Sequence, residues 1–160
     1  PRFAELGVLP SMQPTHATSD KNMAEDRLGK DRMAGAYAWK TLLDSGIPIP
    51  LGSDFPVELA NPFYGIHAAV TRRDRNNQPV KGWYAHEAMT VQQAFRGFTL
   101  DAAYAAHMED SLGTLTPGKW ADFILVDQDI FDVDPKDIWR TRVLQTWTAG
   151  IKVFDAERNQ

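Results

Sequence analysis

Two polar side chains follow apolar runs of the sequence and could do chemistry together. Asp54 follows residues 47–52 (IPIPLG), and His16 follows residues 7–13 (GVLPSMQ). A carboxylate at the end of a buried strand is costly unless something there needs its charge. Two interpretations of Asp54 are open: it caps a following helix, or it points into a site that handles a metal or a proton.

The elements around these side chains bear on that choice. Residues 7–13 and 47–52 are predicted strands, and residues 31–46 between them are a predicted helix. The order strand, loop, helix, strand indicates a βαβ unit with parallel strands. Ligands and catalytic groups of such folds gather at the carboxyl ends of the strands. We therefore expect His16 and Asp54 to face one site.

The rest of the chain divides into a helical and a β-rich part. Residues 61–73 are predicted to be helical, and Thr90 and Thr99 are predicted N-caps of two further helices. After Asp110 the composition changes. Residues 121–127 then form a predicted strand, and a tight hairpin is expected at residues 149–150.

Other candidate residues have simpler explanations. A packed, loop or helix-capping role is favoured for the remaining histidines, which are His67, His86 and His107. An acidic run resembles a calcium loop but lacks its central glycine and closing glutamate, which favours a solvated loop: Asp127, Asp129, Asp132 and Asp134. An arginine pair at a helix end, predicted to be exposed, could meet an anionic substrate: Arg72 and Arg73.

Composition narrows the class of protein. The 160 residues are 43% hydrophobic and 24% charged, which is typical of a globular chain with one core. A net charge of −4 argues against a nucleic-acid partner, and no apolar run is long enough to cross a membrane. The chain has no cysteine, which excludes disulfides and thiolate metal sites. With no visible signal peptide, we expect a cytoplasmic protein.

Four separated motifs carry a resemblance to a known family. They are SMQPTHATSD at 11–20, DRMAGAYAWKTLLDSGIPIPLGSDFPVE at 31–58, GTLTPGKWADFILVDQD at 113–129 and VLQTWTAGIKVF at 143–154. Together and in this order they resemble the C-terminal part of the amidohydrolase superfamily. The most similar branch is amidohydrolase-3, which includes YtcJ-like proteins and N-substituted formamide deformylases.

The resemblance implies an α/β fold, the C-terminal segment of a (β/α)8 metal-dependent hydrolase barrel followed by β-sandwich strands. Residues 1–110 would supply the seventh and eighth barrel strands with their helices, and residues 111–160 a portion of the sandwich. Asp54 matches the aspartate at the end of the eighth strand, which binds the metal and handles the proton. His16 matches the histidine of the Gln-Pro-x-His motif and is expected to face the substrate.

The implied reaction is hydrolysis of a non-peptide C–N bond in a small amide or formamide-like substrate. A divalent metal, expected to be zinc, lowers the pKa of its bound water to about 7 and makes hydroxide available. A carboxylate beside that water can accept its proton and pass it to the departing nitrogen.

The chain also departs from the family. The other family ligands, which come from the first, middle, fifth and sixth strands, have no counterpart here, and a whole barrel needs about 250 residues. We therefore expect a fragment that is inactive alone, holds no metal by itself and self-associates through exposed strand edges. Two alternatives remain open: a structural or interaction module without catalysis, and a glycosidase-like barrel that needs a second carboxylate.

Overall fold

The computed structural model describes residues 2–158. Helices precede a small antiparallel sheet in the chain. The α-helices are α1 (Arg2–Leu6), α2 (Pro14–Asp20), α3 (Ala24–Leu28), α4 (Trp39–Asp44), α5 (Pro62–Thr71), α6 (Val91–Phe98) and α7 (Leu100–Ala105). The 3-10 helices are Lys30–Gly35, Ala85–Glu87 and Pro135–Arg140, and the strands are β1 (Phe123–Val126), β2 (Val143–Thr148) and β3 (Ile151–Asp155).

The two predicted parallel strands are reduced to one parallel bridge, between Met12 and Leu51. The Met12 N–H donates to the carbonyl of Pro50 at 3.0 Å, and the Gly52 N–H donates to the carbonyl of Met12 at 3.1 Å. Their relative direction agrees with the prediction, but the prediction of full strands was wrong. Proline has no backbone N–H, so Pro48 and Pro50 cannot donate to a neighbouring strand.

Residues of α6 and α7 accept hydrogen bonds from two further backbone N–H groups of this segment. The Leu51 N–H donates to the carbonyl of Gly97 in α6 at 3.0 Å. The Ile49 N–H donates to the buried carboxylate of Asp101 in α7 at 3.2 Å, and Arg96 also binds that carboxylate at 2.9 Å. The chain that leads to Asp54 is therefore held by helices on one side and by Met12 on the other.

The single helix predicted over residues 31–46 is wrong. A 3-10 helix ends at Gly35, and α4 begins only at Trp39. Tyr37 between them has a left-handed backbone with φ of 52°, which interrupts the helix. Its hydroxyl donates to Asp20 at 2.6 Å. Burial, together with this bond to Asp20, raises the pKa of Tyr37 to about 12.

The later helices follow their sequence signals more closely. Helix α5 lies within the predicted range. Thr90 caps α6 in a capping box, because its hydroxyl accepts the Gln93 N–H while the Gln93 side chain accepts the Thr90 N–H. Thr99 occupies the cap position of α7, but its side chain makes no capping hydrogen bond and donates to the Phe95 carbonyl instead.

One core joins the helices to the C-terminal part of the chain. The 3-10 helix Pro135–Arg140 packs on α5. The core residues are all at most 5% exposed and include Trp39, Ile49, Leu51, Phe63, Ile66, Ala69, Ile130 and Ile138. The core draws on residues from both sides of residue 110, and the boundary predicted there stays a prediction.

The three strands form an antiparallel sheet in the order β1-β2-β3. Phe123 pairs with Trp147, and Thr148 pairs with Ile151 across the Ala149–Gly150 turn, which confirms the predicted hairpin. Several apolar side chains of this sheet are exposed, among them Ile124, Leu125, Ile151, Val153 and Phe154. Within residues 2–158, no helix is long and apolar enough to cross a membrane.

Candidate functional site

The parallel bridge brings His16 and Asp54 together. His16 lies in the first turn of α2, four residues after Met12, and Asp54 lies three residues after Leu51. Because the bridged segments run in the same direction, both side chains emerge at the same edge. His16 Nε2 is 3.4 Å from Asp54 Oδ2. The expectation that these two residues share one location agrees with this distance, while their roles stay predictions.

Within this pair, the His16 side chain is more buried than that of Asp54. The His16 side chain is 28% exposed and that of Asp54 is 50% exposed. His16 Nε2 is itself buried, and within residues 2–158 it has no hydrogen-bond partner, because the contact to Asp54 lacks hydrogen-bond geometry. The carboxylate of Asp54 therefore remains accessible for a further ligand or a water molecule.

Helix capping does not account for Asp54. The residues that follow it form turns, and no helix begins before Pro62. The Asp54 backbone carbonyl accepts the Val57 N–H at 2.8 Å, and the Ser53 hydroxyl accepts the Phe55 N–H at 3.3 Å. Asp54 has a left-handed backbone with φ of 58°, a conformation that aspartate adopts more readily than most non-glycine residues.

The donors of this pair are of the kind that divalent metals bind, but they are too few to form a metal centre. Zinc takes three or four protein ligands from cysteine, histidine and carboxylate side chains. Among residues 2–158, no group of three or more such side chains could hold a metal ion. His16 and Asp54 therefore fit part of a metal site and do not form a complete one.

The other predicted candidates serve the fold. His67 is 1% exposed, and its ring nitrogens lie 3.0 Å from the Pro135 carbonyl and 3.2 Å from the Asp74 carbonyl. Burial lowers the pKa of His67, and the two carbonyls partly offset this effect. Within the acidic run, Asp127 pairs with Arg142 at 2.8 Å and other carboxylates accept nearby backbone N–H groups. These contacts agree with the interpretation as a loop.

Arg72 was wrongly predicted to be exposed. It is fully buried, with its guanidinium 4.1 Å from the centre of the Trp39 ring, and it donates to the carbonyls of Trp83 and Tyr37. Burial lowers the pKa of Arg72 to about 10, so the group stays charged at neutral pH. The sequence gives one signal for this arrangement, the abundance of tryptophan and tyrosine on either side of α5, since guanidinium groups stack on aromatic rings.

Comparison with known proteins identifies the family. The model of the amidohydrolase family Amidohydro_3 matches residues 1–154, so the chain belongs to this family. It is 34% identical over 154 residues to the putative amidohydrolase YtcJ of Bacillus subtilis, covering 96% of this chain and 29% of that protein. It is 33% identical to the protein LONG AFTER FAR-RED 3 of Arabidopsis thaliana, with coverages of 96% and 26%.

A third relative and a solved structure agree with this assignment. The N-substituted formamide deformylase of Arthrobacter pascens is 28% identical over 116 residues, covering 72% of this chain and 21% of the enzyme. The crystal structure of an uncharacterized metal-dependent hydrolase from Pyrococcus horikoshii superposes with a TM-score of 0.73 at 28% identity, covering 84% of this chain and 27% of that one.

These matches confirm the amidohydrolase-3 resemblance and the fold class. The chain is an α/β segment of a hydrolase fold that continues into an antiparallel sheet. It spans less than a third of the length of the curated relatives named above.

Proposed function

We propose that this chain is the C-terminal part of a longer metal-dependent amidohydrolase, called the parent protein below. The parent would hydrolyse a non-peptide C–N bond in a small amide or formamide-like substrate. Family membership and the likeness to a metal-dependent hydrolase support the reaction class, and the deformylase relative supports the kind of substrate. The observation that carries the proposal is the 3.4 Å approach of His16 to Asp54 at one edge of the bridged segments.

Asp54 acts as the acid–base group and as one metal ligand in this proposal. Its carboxylate is half exposed and accepts a proton from the attacking water, which it then donates to the departing nitrogen. His16 contacts the substrate from the first turn of α2. A bound divalent metal, which we propose to be zinc, would supply a water of lowered pKa. The ligands missing from residues 2–158 would come from elsewhere in the parent.

Asp54→Asn in the parent protein tests these roles. The amide keeps the shape of the side chain but cannot accept the proton, so we expect kcat/KM for an N-substituted formamide to fall by about 100-fold or more. Asp44→Asn is the matched control, because Asp44 is an exposed aspartate that pairs with Lys40 in α4. Turnover of Asp54→Asn within a few fold of wild type would exclude the assignment.

A second candidate applies to the chain by itself, namely a module that does not catalyse and associates with other copies. It is favoured by the incomplete metal site and by the exposed apolar residues of β3, which are Ile151, Val153 and Phe154. An open strand edge with such side chains pairs readily with another chain. We expect light scattering to show a mass above 18.0 kDa that rises with concentration. A clean monomer at every concentration would contradict self-association.

A further inference from the structure

A pocket of about 360 Å³ is lined by residues near His16 and Asp54 in sequence. Its lining comes from α2, from α5 and the residues after it, and from Trp139 of the 3-10 helix Pro135–Arg140. The pocket adjoins the His16–Asp54 pair in sequence through Thr15 on one segment and Glu58 on the other. Its volume lies in the range of pockets that hold small organic ligands.

Three residues that line this pocket each carry a buried donor without a partner. The donors are the Thr15 hydroxyl, the Arg73 Nε–H and the Trp139 Nε1–H, none of which has a hydrogen bond within residues 2–158. The arginine and tryptophan nitrogens can only donate. Buried donors without acceptors are costly, and three of them on residues that line one pocket favour a ligand that accepts hydrogen bonds as it settles against these residues.

The charges around the pocket favour an anion. Arg73 and Arg75 both line it, and neither forms an ion pair with a carboxylate of the described residues. Two carboxylates also line it, but Asp74 is neutralised by Lys21 at 2.9 Å. The charges that remain in the pocket lining are one carboxylate, that of Glu58, which accepts the Ser19 hydroxyl, and two guanidinium groups.

We propose that this pocket binds an organic carboxylate. A guanidinium matches the geometry of a carboxylate, and the Thr15 and Trp139 donors complete its hydrogen bonds. Leu59 and the Tyr64 ring, over which Arg75 lies at 4.7 Å, provide apolar surface for the body of the ligand. Carboxylate binding in this pocket does not depend on the proposed hydrolysis.

Titration of the ¹⁵N-labelled 160-residue chain with benzoate tests the proposal. The indole N–H resonance of Trp139 reports on the pocket, and the other four tryptophans serve as internal references. We expect a saturable shift of the Trp139 resonance with benzoate and none with benzamide, a neutral molecule of the same shape. Equal shifts with both molecules, no shift, or a linear shift without saturation would overturn it.

Substitutions of the proposed donor residues test where the ligand binds. Arg73→Gln is expected to weaken benzoate binding about tenfold or more, because it removes a charged donor. Trp139→Phe removes only the N–H and is expected to weaken binding too, measured through the Arg73 Nε–H resonance. Arg158→Gln, an exposed arginine outside the pocket, should leave binding unchanged. Unchanged affinity in both pocket variants, with reference resonances at their folded positions, would refute the site.

Discussion

Gly97 determines how closely α6 approaches the segment that carries Asp54. A Cβ added at this position would lie 2.6 Å from Leu51 Cγ and 2.9 Å from the carbonyl oxygen of Ile49. The leucine side chain can rotate away, but the backbone oxygen cannot. In Gly97→Ala the helix must therefore move away from residues 49–51, and the Leu51 N–H bond to the Gly97 carbonyl lengthens.

The expected effect is a net loss of stability. Overpacking of a core costs about 1–3 kcal/mol, while alanine in a helix is favoured over glycine by about 1 kcal/mol. Because one contact is with the Ile49 backbone, the cost lies at the upper end of its range. We expect Gly97→Ala to lower the free energy of unfolding by about 2 kcal/mol.

Urea denaturation followed by circular dichroism measures this difference. Gly35→Ala is the matched control, since its Cβ would meet no atom within 4 Å and the residue is exposed. We expect that control to raise the stability by about 0.5 kcal/mol. Combining Gly97→Ala with Leu51→Ala should cost less than the sum of the two single changes. A Gly97→Ala chain as stable as Gly35→Ala would refute the close approach of α6.

Two further predictions concern the cap of α6 and the buried histidine. Thr90→Ala is expected to lower the free energy of unfolding by about 1 kcal/mol, and Thr99→Ala by less than half of that, because only Thr90 makes a capping hydrogen bond. Equal losses in urea denaturation would contradict this. Burial lowers the pKa of His67 below 6.5, so below that pH the unfolded chain binds a proton that the folded chain does not. The contribution of His67 to the free energy of unfolding is therefore complete above pH 6.5. It is lost as the pH drops through the pKa of the folded chain, by at most about 1.4 kcal/mol per pH unit. His67→Gln should flatten this slope and His107→Gln, an exposed histidine, should preserve it. An unchanged slope in His67→Gln would contradict the assignment.

Local signals predicted those parts of the fold that depend on neighbouring residues. The capping box at Thr90 and the hairpin at Ala149–Gly150 involve residues within a few positions of each other, and both are present. The strand predicted at residues 47–52 rested on its apolar residues and not on its backbone N–H donors. With Pro48 and Pro50 removing two N–H groups, the segment retains one bridge to Met12. The cytoplasmic location stays a prediction.

The nearness of His16 and Asp54 agrees with the sequence prediction, but the residues around them were not predicted. The two were expected together because neighbouring parallel strands end at one edge of a sheet, and they lie 3.4 Å apart. The burial of Arg72 depends on rings and carbonyls far along the chain, from Tyr37 and Trp39 to Trp83. The carboxylate pocket likewise combines residues from α2 to Trp139. No local pattern in the sequence predicts contacts between residues that lie so far apart in the chain.

Whether His16 and Asp54 form only part of a metal site is decided by the metal content of the isolated chain and of the parent protein, measured side by side per mole of protein. We expect stoichiometric zinc or another divalent metal in the parent, and background levels in the 160-residue chain, because His16 and Asp54 supply too few ligands. Stoichiometric metal in the isolated chain, or none in an active parent, would contradict it.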